Sequence, residues 1–425
     1  MSNLNWQQLE SWDKNHVWHP FDTFKIEKNL LVERALGDKL FLSDGSVLID
    51  AISSWWVNLH GHSNPVMNEA LKKQVELLPH VIFSGFTHQP AIELTKQLLN
   101  TLSSEFSKVF FSDNGSTSTE VALKMAIQFW HNHNEKRSII LAFENGYHGD
   151  TFGAMATGGK SVYNQVFEPF MFEVKHIPIP SDALQLEKCL EQIRLIEKTG
   201  KIAAFIYEPL LQGAAGMKTY PAKHLDSVLK VLKSQSVICI ADEVFTGFFR
   251  TGTFWASDQC ETKPDIICAS KGLTGGYMPM GATITTQRIF DAFDGDNLMK
   301  TFMHGHSYTG NPLACSLGVA SLELLKELKT QSRIQHLVKS NADWHQSTIE
   351  KRDDLSIRTI GTIIAVEKNS KNNHYFSEER EKLYHKSLSK GILMRPIGKT
   401  LYIVPMYCTS DDTVAFLRES ILEII

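Results

Sequence analysis

Between about residues 65 and 325 the chain alternates short apolar runs with longer stretches of helical periodicity, and few folds accommodate that pattern. The runs KVFFSD (108–113), RSIILAF (137–143), IAAFIYEP (202–209), SVICIADEV (236–244), PDIICAS (264–270) and MGATITT (280–286) have mostly contiguous apolar residues, as expected of strands covered on both faces. With helices between them they predict an α/β fold whose large domain is a mainly parallel, doubly wound sheet. Before it, residues 22–52 read as short strands (LLVERALG, KLFLSDG, VLIDA), with turn signals at Gly37 and Asp44-Gly45. After it, a helix-rich stretch leads into IRTIGTIIAVE, ILMRPIG and LYIVPMY. The expected division is a large domain at 65–325 flanked by segments 1–64 and 326–425, which join as one smaller α+β domain. A length of 425 residues, 43% of them hydrophobic, suits about two or three domains.

Bulk properties exclude several classes of partner. A net charge of −4, with lysines and arginines scattered rather than striped, gives no electrostatic footprint for nucleic acid. The polar N-terminal stretch MSNLNWQQLESWDKNHVW has no apolar signal core, and no uninterrupted apolar run reaches the roughly 18 residues of a membrane span. A cytoplasmic protein without a membrane partner is expected. The six cysteines, Cys189, Cys239, Cys260, Cys268, Cys315 and Cys408, show no CxxC spacing, so reduced thiols are expected rather than disulfides or a metal cluster. HGHS occurs at 60–63 and 304–307, but without carboxylate or thiol ligands at suitable spacing no metal is assigned to it.

Four stretches carry chemistry. In FFSDNGSTSTEVALKMAIQFW a strand gives way to a small polar turn and a helix with apolar residues at 121, 122, 125, 126 and 129. The N–H groups around Gly115, Ser116 and Thr117 suit an anion such as phosphate; a plain Asn or Ser N-cap explains the turn equally well in isolation. The motif is neither GxGxxG nor a Walker loop. VICIADEVFTGFFRTG ends a strand by presenting Asp242 and Glu243, where a carboxylate can keep a heteroaromatic nitrogen protonated or hold a divalent metal. ENGYHGDTFGAM offers Tyr147 in a Gly-rich loop, either to cover a flat cofactor or as loop packing. KPDIICASKGLTGG brings Lys271 to the edge of the sheet at which α/β proteins bind ligands. A lysine there is desolvated and nucleophilic, or it is a surface lysine whose stem packs on the loop. Taken together these supply a phosphate cradle, an aromatic cover, an acid for a ring nitrogen and an amine for an aldehyde. That set suits pyridoxal 5′-phosphate.

The motifs IADEVFTGFFRTG, ASKGLTGG and HGHSYTGNPLAC, in this order, resemble those of the class III (subgroup II) pyridoxal-phosphate aminotransferases, whose fold is type I, aspartate aminotransferase-like. The resemblance extends over nearly the whole chain. WHPF (18–21), SSWW (53–56), THQPAIEL (87–94), FMHGHSYTGNPLAC (302–315) and MRPIGK (394–399) are most similar to the branch that aminates 8-amino-7-oxononanoate in biotin synthesis, with S-adenosylmethionine or lysine as amino donor. The resemblance implies that Lys271 forms the imine with the cofactor and moves the proton, that Asp242 pairs with the pyridine nitrogen, and that Tyr147 covers the ring and touches substrate. Gly115 and Ser116 would bind phosphate, with His306 and Ser307 of the second subunit of a homodimer completing that site. Trp55 and Trp56, which by themselves read as core residues, would pack the aliphatic chain of the substrate. Arg395 would bind its carboxylate, Gly305 would leave room for it, Arg250 would admit the amino donor, and Tyr402 would line the pocket. Phe21 stands where many relatives carry a tyrosine, and His306-Ser307 stand where many carry proline and threonine. Other expectations compatible with the fold are a class III aminotransferase for ω-amino acids or diamines, and a non-catalytic binding protein that has lost the chemistry.

Overall fold

The structure is a computed structural model that describes residues 6–21, 29–160, 164–295, 297–369 and 378–425; the part of the strand reading that falls on 22–28 lies outside them. Its centre is a seven-stranded sheet made of β1 (Phe106–Ser112), β2 (Ile139–Phe143), β3 (Val174–Ile177), β4 (Ile202–Tyr207), β5 (Ile238–Asp242), β6 (Ile266–Ala269) and β7 (Gly281–Thr286). The strand order is β1-β7-β6-β5-β4-β2-β3. Strands β2 to β6 run parallel, and β7 runs antiparallel to both β6 and β1. The link 270–280 explains that reversal: it holds only a short 3-10 turn, whereas a parallel return needs a crossover of about a dozen residues or more.

Strand β3 was not legible in the sequence. It is a short edge strand, VKHI, with only Ile177 buried, so it lacks the contiguous apolar signal of the inner strands, in which β4, β5 and β6 are buried at every residue. Helix α1 (Gly115–Asn132) crosses one face of the sheet. Asn114 caps it, its side chain accepting from Thr117 N–H while the Thr117 hydroxyl accepts from Asn114 N–H, a reciprocal bonding that satisfies donors the helix cannot. The positions 121, 122, 125, 126 and 129 are buried against the sheet.

The N- and C-terminal segments share a second sheet. Val32–Leu36, Lys39–Leu42 and Val47–Asp50 form a meander, and Ile392–Leu393 adds to it in parallel, with Ile392 opposite Ile49. The hairpin Leu355–Ile360/Ile363–Lys368 pairs with Leu401–Ile403, and its apolar face packs on the helix Asp411–Ile424 through Ile364, Val366, Leu417 and Ile421. Among the described residues no helix is long and apolar enough to cross a membrane.

Candidate active site

The C-terminal ends of β5 and β6, the N-terminus of α1 and the loop after β2 enclose a cavity of about 690 Å³. Asp242 is the last residue of β5, and Lys271 follows β6 by two residues; both line the cavity together with Gly115, Ser116, Tyr147 and Trp56. The sheet edge therefore gathers groups far apart in sequence, as the strand pattern requires. Lys271 takes a left-handed backbone, φ 46°, and its Nζ lies 4.4 Å from the centroid of the Trp56 ring and 5.4 Å from that of Phe245. Burial lowers its pKa to about 8, with Asp242 and Glu208 pulling the other way. About a tenth of the amine is then neutral at pH 7, far more than for an ordinary lysine, and that form is a nucleophile and a proton acceptor.

Asp242 is fixed on two sides. His148 Nδ1 lies 2.7 Å from its Oδ2, and its Oδ1 accepts from Val244 N–H at 3.1 Å. Both acid and imidazole are buried. Glu243, expected beside it at the same edge, points elsewhere: it is fully buried and accepts from the Thr246 and Ser257 hydroxyls and from the Ala256 and Ser257 N–H groups. It ties loops together beneath the sheet edge and does not line the cavity.

At the helix end, Gly115 and Ser116 face the cavity, whereas Thr117 is spent on the cap, its hydroxyl also donating to Asp113. The packing here admits no side chain in two places. A Cβ on Gly115 would come 2.7 Å from Val244 Cγ1, and one on Gly149, at φ +127°, would meet the Ser116 hydroxyl. The bare backbone, unpaired first-turn N–H groups and Ser116 Oγ, which accepts from Thr151 N–H at 3.0 Å, form a cradle suited to phosphate. The donor set thus fits pyridoxal phosphate: an anion cradle, an amine, and a carboxylate held by an imidazole.

Glu208 and His148 escaped the sequence reading. Glu208 follows β4, receives Tyr147 N–H at 3.1 Å and Gly213 N–H at 2.9 Å, and faces the cavity; burial, opposed by His148, holds its carboxyl up at about 7. The signal was present, since IAAFIYEP ends in an acid at the sheet edge just as SVICIADEV does.

Phe21, Trp55 and Arg395, expected on the substrate side, do not line the cavity; they cluster outside it as an outer rim next to Trp56, which does line it. Phe21 and Trp55 meet edge to face at 5.6 Å, and the Arg395 guanidinium lies 4.8 Å from the Trp55 ring centroid. Ser53, Ser54, Trp55 and Trp56 have φ of 51°, 46°, 72° and 73°, a left-handed helical turn in which Val57 N–H donates to Ser53 C=O at 3.0 Å. Each such non-glycine residue costs about 1–2 kcal/mol. Arg250 and Tyr402, expected at the pocket, are not among the residues that line this cavity. Arg250 does not face the cavity: it is 1% exposed and donates to backbone carbonyls. Tyr402 lies behind Trp56, ring centroids 6.0 Å apart, and is itself buried rather than lining the cavity. Gly305, His306 and Ser307 lie on a partly exposed loop outside the cavity of their own chain. Of the two HGHS copies, His60 is buried and bonded to the Ser321 hydroxyl, and His62 pairs with Asp50 at 2.9 Å; among the described residues no cluster suited to a metal is present.

Comparison with known proteins accords with this geometry. The sequence model of class III aminotransferases matches residues 24–425. The chain is 41% identical over 418 residues to the adenosylmethionine-8-amino-7-oxononanoate aminotransferase of Synechococcus elongatus, a match covering 96% of this chain and 98% of that protein. The crystal structure of adenosylmethionine-8-amino-7-oxononanoate aminotransferase from Methanocaldococcus jannaschii superposes with a TM-score of 0.93 at 35% identity, over 99% of both chains. An amine transaminase from an uncultivated Pseudomonas species, in its PLP-bound (internal aldimine) form, superposes with a TM-score of 0.90 at 27% identity, over 96% of this chain and 98% of that one.

Proposed function

Since the chain belongs to the class III aminotransferase family, we propose that it is a pyridoxal-phosphate enzyme that aminates 8-amino-7-oxononanoate to 7,8-diaminononanoate in biotin synthesis. S-adenosylmethionine or lysine is the amino donor, and the enzyme works as a cytoplasmic homodimer. The observation that carries the chemistry is the Lys271 amine, its pKa lowered to about 8, inside one cavity with the Asp242 carboxylate and the Gly115–Ser116 helix end. The choice of substrate is supported by similarity to relatives named for this reaction and by Arg395 beside Trp55 at the rim.

Pyridoxal phosphate, when bound, supplies an aldehyde that takes up the donor's amino group and a protonated ring that draws electrons from the carbon losing its proton. The protein does the rest. Gly115 N–H, Ser116 N–H and Ser116 Oγ hold the phosphate. The Asp242 carboxylate, kept in place by His148 and Val244 N–H, keeps the proton on the ring nitrogen. Tyr147, anchored through its N–H to Glu208, covers the ring. Lys271 Nζ is held near the Trp56 face, takes the proton from Cα of the donor, and in the second half-reaction delivers a proton to the carbon that was the ketone. Arg395 binds the carboxylate of the acceptor through its planar fork, with Phe21, Trp55 and Trp56 along the chain. Gly305, His306 and Ser307 of one subunit complete the phosphate end of the other. Their place on an exposed loop outside their own cavity supports this.

The test is rapid mixing of the holoenzyme with S-adenosylmethionine, with lysine and with a diamine, followed by 8-amino-7-oxononanoate. Loss of the cofactor's visible absorbance with one of the first two, and its return with the oxononanoate, is expected. A response confined to diamines or ω-amino acids, with none to the oxononanoate, overturns the assignment.

A further inference from the structure

The adjacent tryptophans Trp55 and Trp56 stand on backbone that chains avoid, and two buried ionisable side chains hold it. Ser53, Ser54, Trp55 and Trp56 all have positive φ, and none is glycine. A run of this kind persists only where its surroundings over-determine it. On one side stands Asp50, itself buried. Its Oδ1 accepts from Ser54 N–H at 2.9 Å and Ile52 N–H at 3.3 Å; its Oδ2 accepts from the Ser54 hydroxyl at 2.6 Å and lies 2.9 Å from His62 Nε2. Ser53 Oγ adds a bond to Val404 C=O at 2.7 Å.

On the other side Arg250 reaches the end of the same turn. Its Nη2 donates to the carbonyls of Trp56 at 3.5 Å and Asn58 at 3.2 Å, and its Nη1 donates to Pro405 C=O at 2.6 Å. A helical turn leaves its last carbonyls without partners, and a guanidinium has enough donors in a fixed fork to satisfy several at once. Burying that cation away from the cavity is costly, and its bonds go to the backbone of the turn and of the strand end behind it.

The geometry points to Asp50 and Arg250 as positioning residues that fix the left-handed Ser53–Trp56 turn and so aim Trp55 and Trp56 at the acyl chain. Arg250 thus acts through the turn and does not touch the amino donor. This rests on the reading of 8-amino-7-oxononanoate as acceptor. The turn carries one ring that lines the cavity and one that lies outside it. Trp56 underlies Lys271 Nζ at 4.4 Å, and Trp55 carries the Arg395 guanidinium at 4.8 Å, so a shift of the turn displaces the ring beneath the amine and the platform beneath the carboxylate-binding fork together.

The experiment uses holoenzyme labelled with 5-fluorotryptophan, the fluorine signals of Trp55 and Trp56 being identified with Trp55→Phe and Trp56→Phe. Asp50→Asn and Arg250→Lys are each expected to move both signals while leaving the other tryptophans in place. Each is also expected to raise KM for 8-amino-7-oxononanoate about tenfold, the scale of a small misplacement of a binding surface. The double variant should raise it by less than the product of the two, because both act on one turn. Unmoved fluorine signals, with a rise in KM for the amino donor alone, overturn the proposal and make Arg250 a donor contact. Should Arg250→Lys fail to fold, Ser54→Ala, which removes the hydroxyl bonded to Asp50 Oδ2, reads the same two signals with the same two outcomes. If the wild-type enzyme does not act on 8-amino-7-oxononanoate, the functional reading falls, and the fluorine shifts alone still decide whether these side chains hold the turn.

Discussion

At the inner end of the cavity, Asp242 and Lys271 stand at the ends of strands buried at every residue; at the rim, Trp55, Arg395 and Phe21 stand on a left-handed turn, a loop and an N-terminal segment. The inner groups are held by the sheet itself and by short bonds such as that between His148 and Asp242. The rim is held by side chains bonding irregular backbone, and its aromatic rings are partly exposed, with Trp55 at 38% and Phe21 at 46%. On the proposed reading, the chemistry stands on strands buried at every residue and substrate recognition on irregular backbone outside the sheet.

The sharpest way to break this comparison is at Lys271. Lys271→Ala removes the group that moves the proton, and turnover is expected to fall at least about a thousandfold, measured as single-turnover rates with S-adenosylmethionine or lysine and then 8-amino-7-oxononanoate. Activity within tenfold of wild type would mean that the proton moves by another route. At the rim the expected loss is smaller and confined to one half-reaction. Arg395→Ala removes charge-assisted bonds worth about 1.5–3 kcal/mol, which corresponds to a rise in KM for 8-amino-7-oxononanoate of roughly 10- to 100-fold, with the donor half-reaction unchanged. Arg395→Lys should recover only part, because an ammonium lacks the planar fork. Equal loss in both half-reactions would make Arg395 a support for Trp55 rather than a carboxylate site.

The inner end also carries a pH signature that the rim lacks. In the apoenzyme the Lys271 amine has a pKa of about 8, so it is mostly protonated and unreactive below that pH and mostly neutral above it. The rate at which apoenzyme captures pyridoxal phosphate is therefore expected to rise roughly tenfold between pH 7 and 9 and to level off. A lysine with an ordinary pKa near 10.4 would gain about a hundredfold between pH 7 and 9 and go on rising, by roughly twentyfold more, to about pH 11. That continued climb would show that burial does not tune the amine.

The same contrast explains what the sequence made legible. Asp242 and Lys271 end contiguous apolar runs, and a strand pattern plus the rule that ligands sit at strand ends locates such residues without any structure. Glu208 obeyed the same rule and was overlooked. The surroundings of Arg250 were not legible, because a residue's facing direction in an irregular loop follows no period: FFRTG says nothing of three carbonyls from Trp56, Asn58 and Pro405. Nor does SSWW announce a left-handed turn, since serine and tryptophan have no preference for it. The Arg395–Trp55 contact likewise joins two segments that the parallel pairing of Ile392–Leu393 beside Val47–Asp50 brings together. The edge strand β3 was missed for the opposite reason, being too short and too exposed to leave an apolar run.

The smallest effect is expected at Phe21, where the rim is most open. Its ring meets Trp55 edge to face at 5.6 Å, an arrangement worth about 0.5–1.5 kcal/mol beyond the area buried. Phe21→Leu keeps an apolar side chain and removes the edge, so KM for 8-amino-7-oxononanoate should rise about two- to tenfold. The donor half-reaction and the urea midpoint should be unaffected, because the residue is 46% exposed and contributes little to the core. An unchanged KM would show that Trp55 is held from below, by Asp50 and the turn, without help from the ring beside it. The recognition surface would then reduce to Arg395 and the two tryptophans, and the rim would be as fixed by its backbone as the inner end is by its sheet.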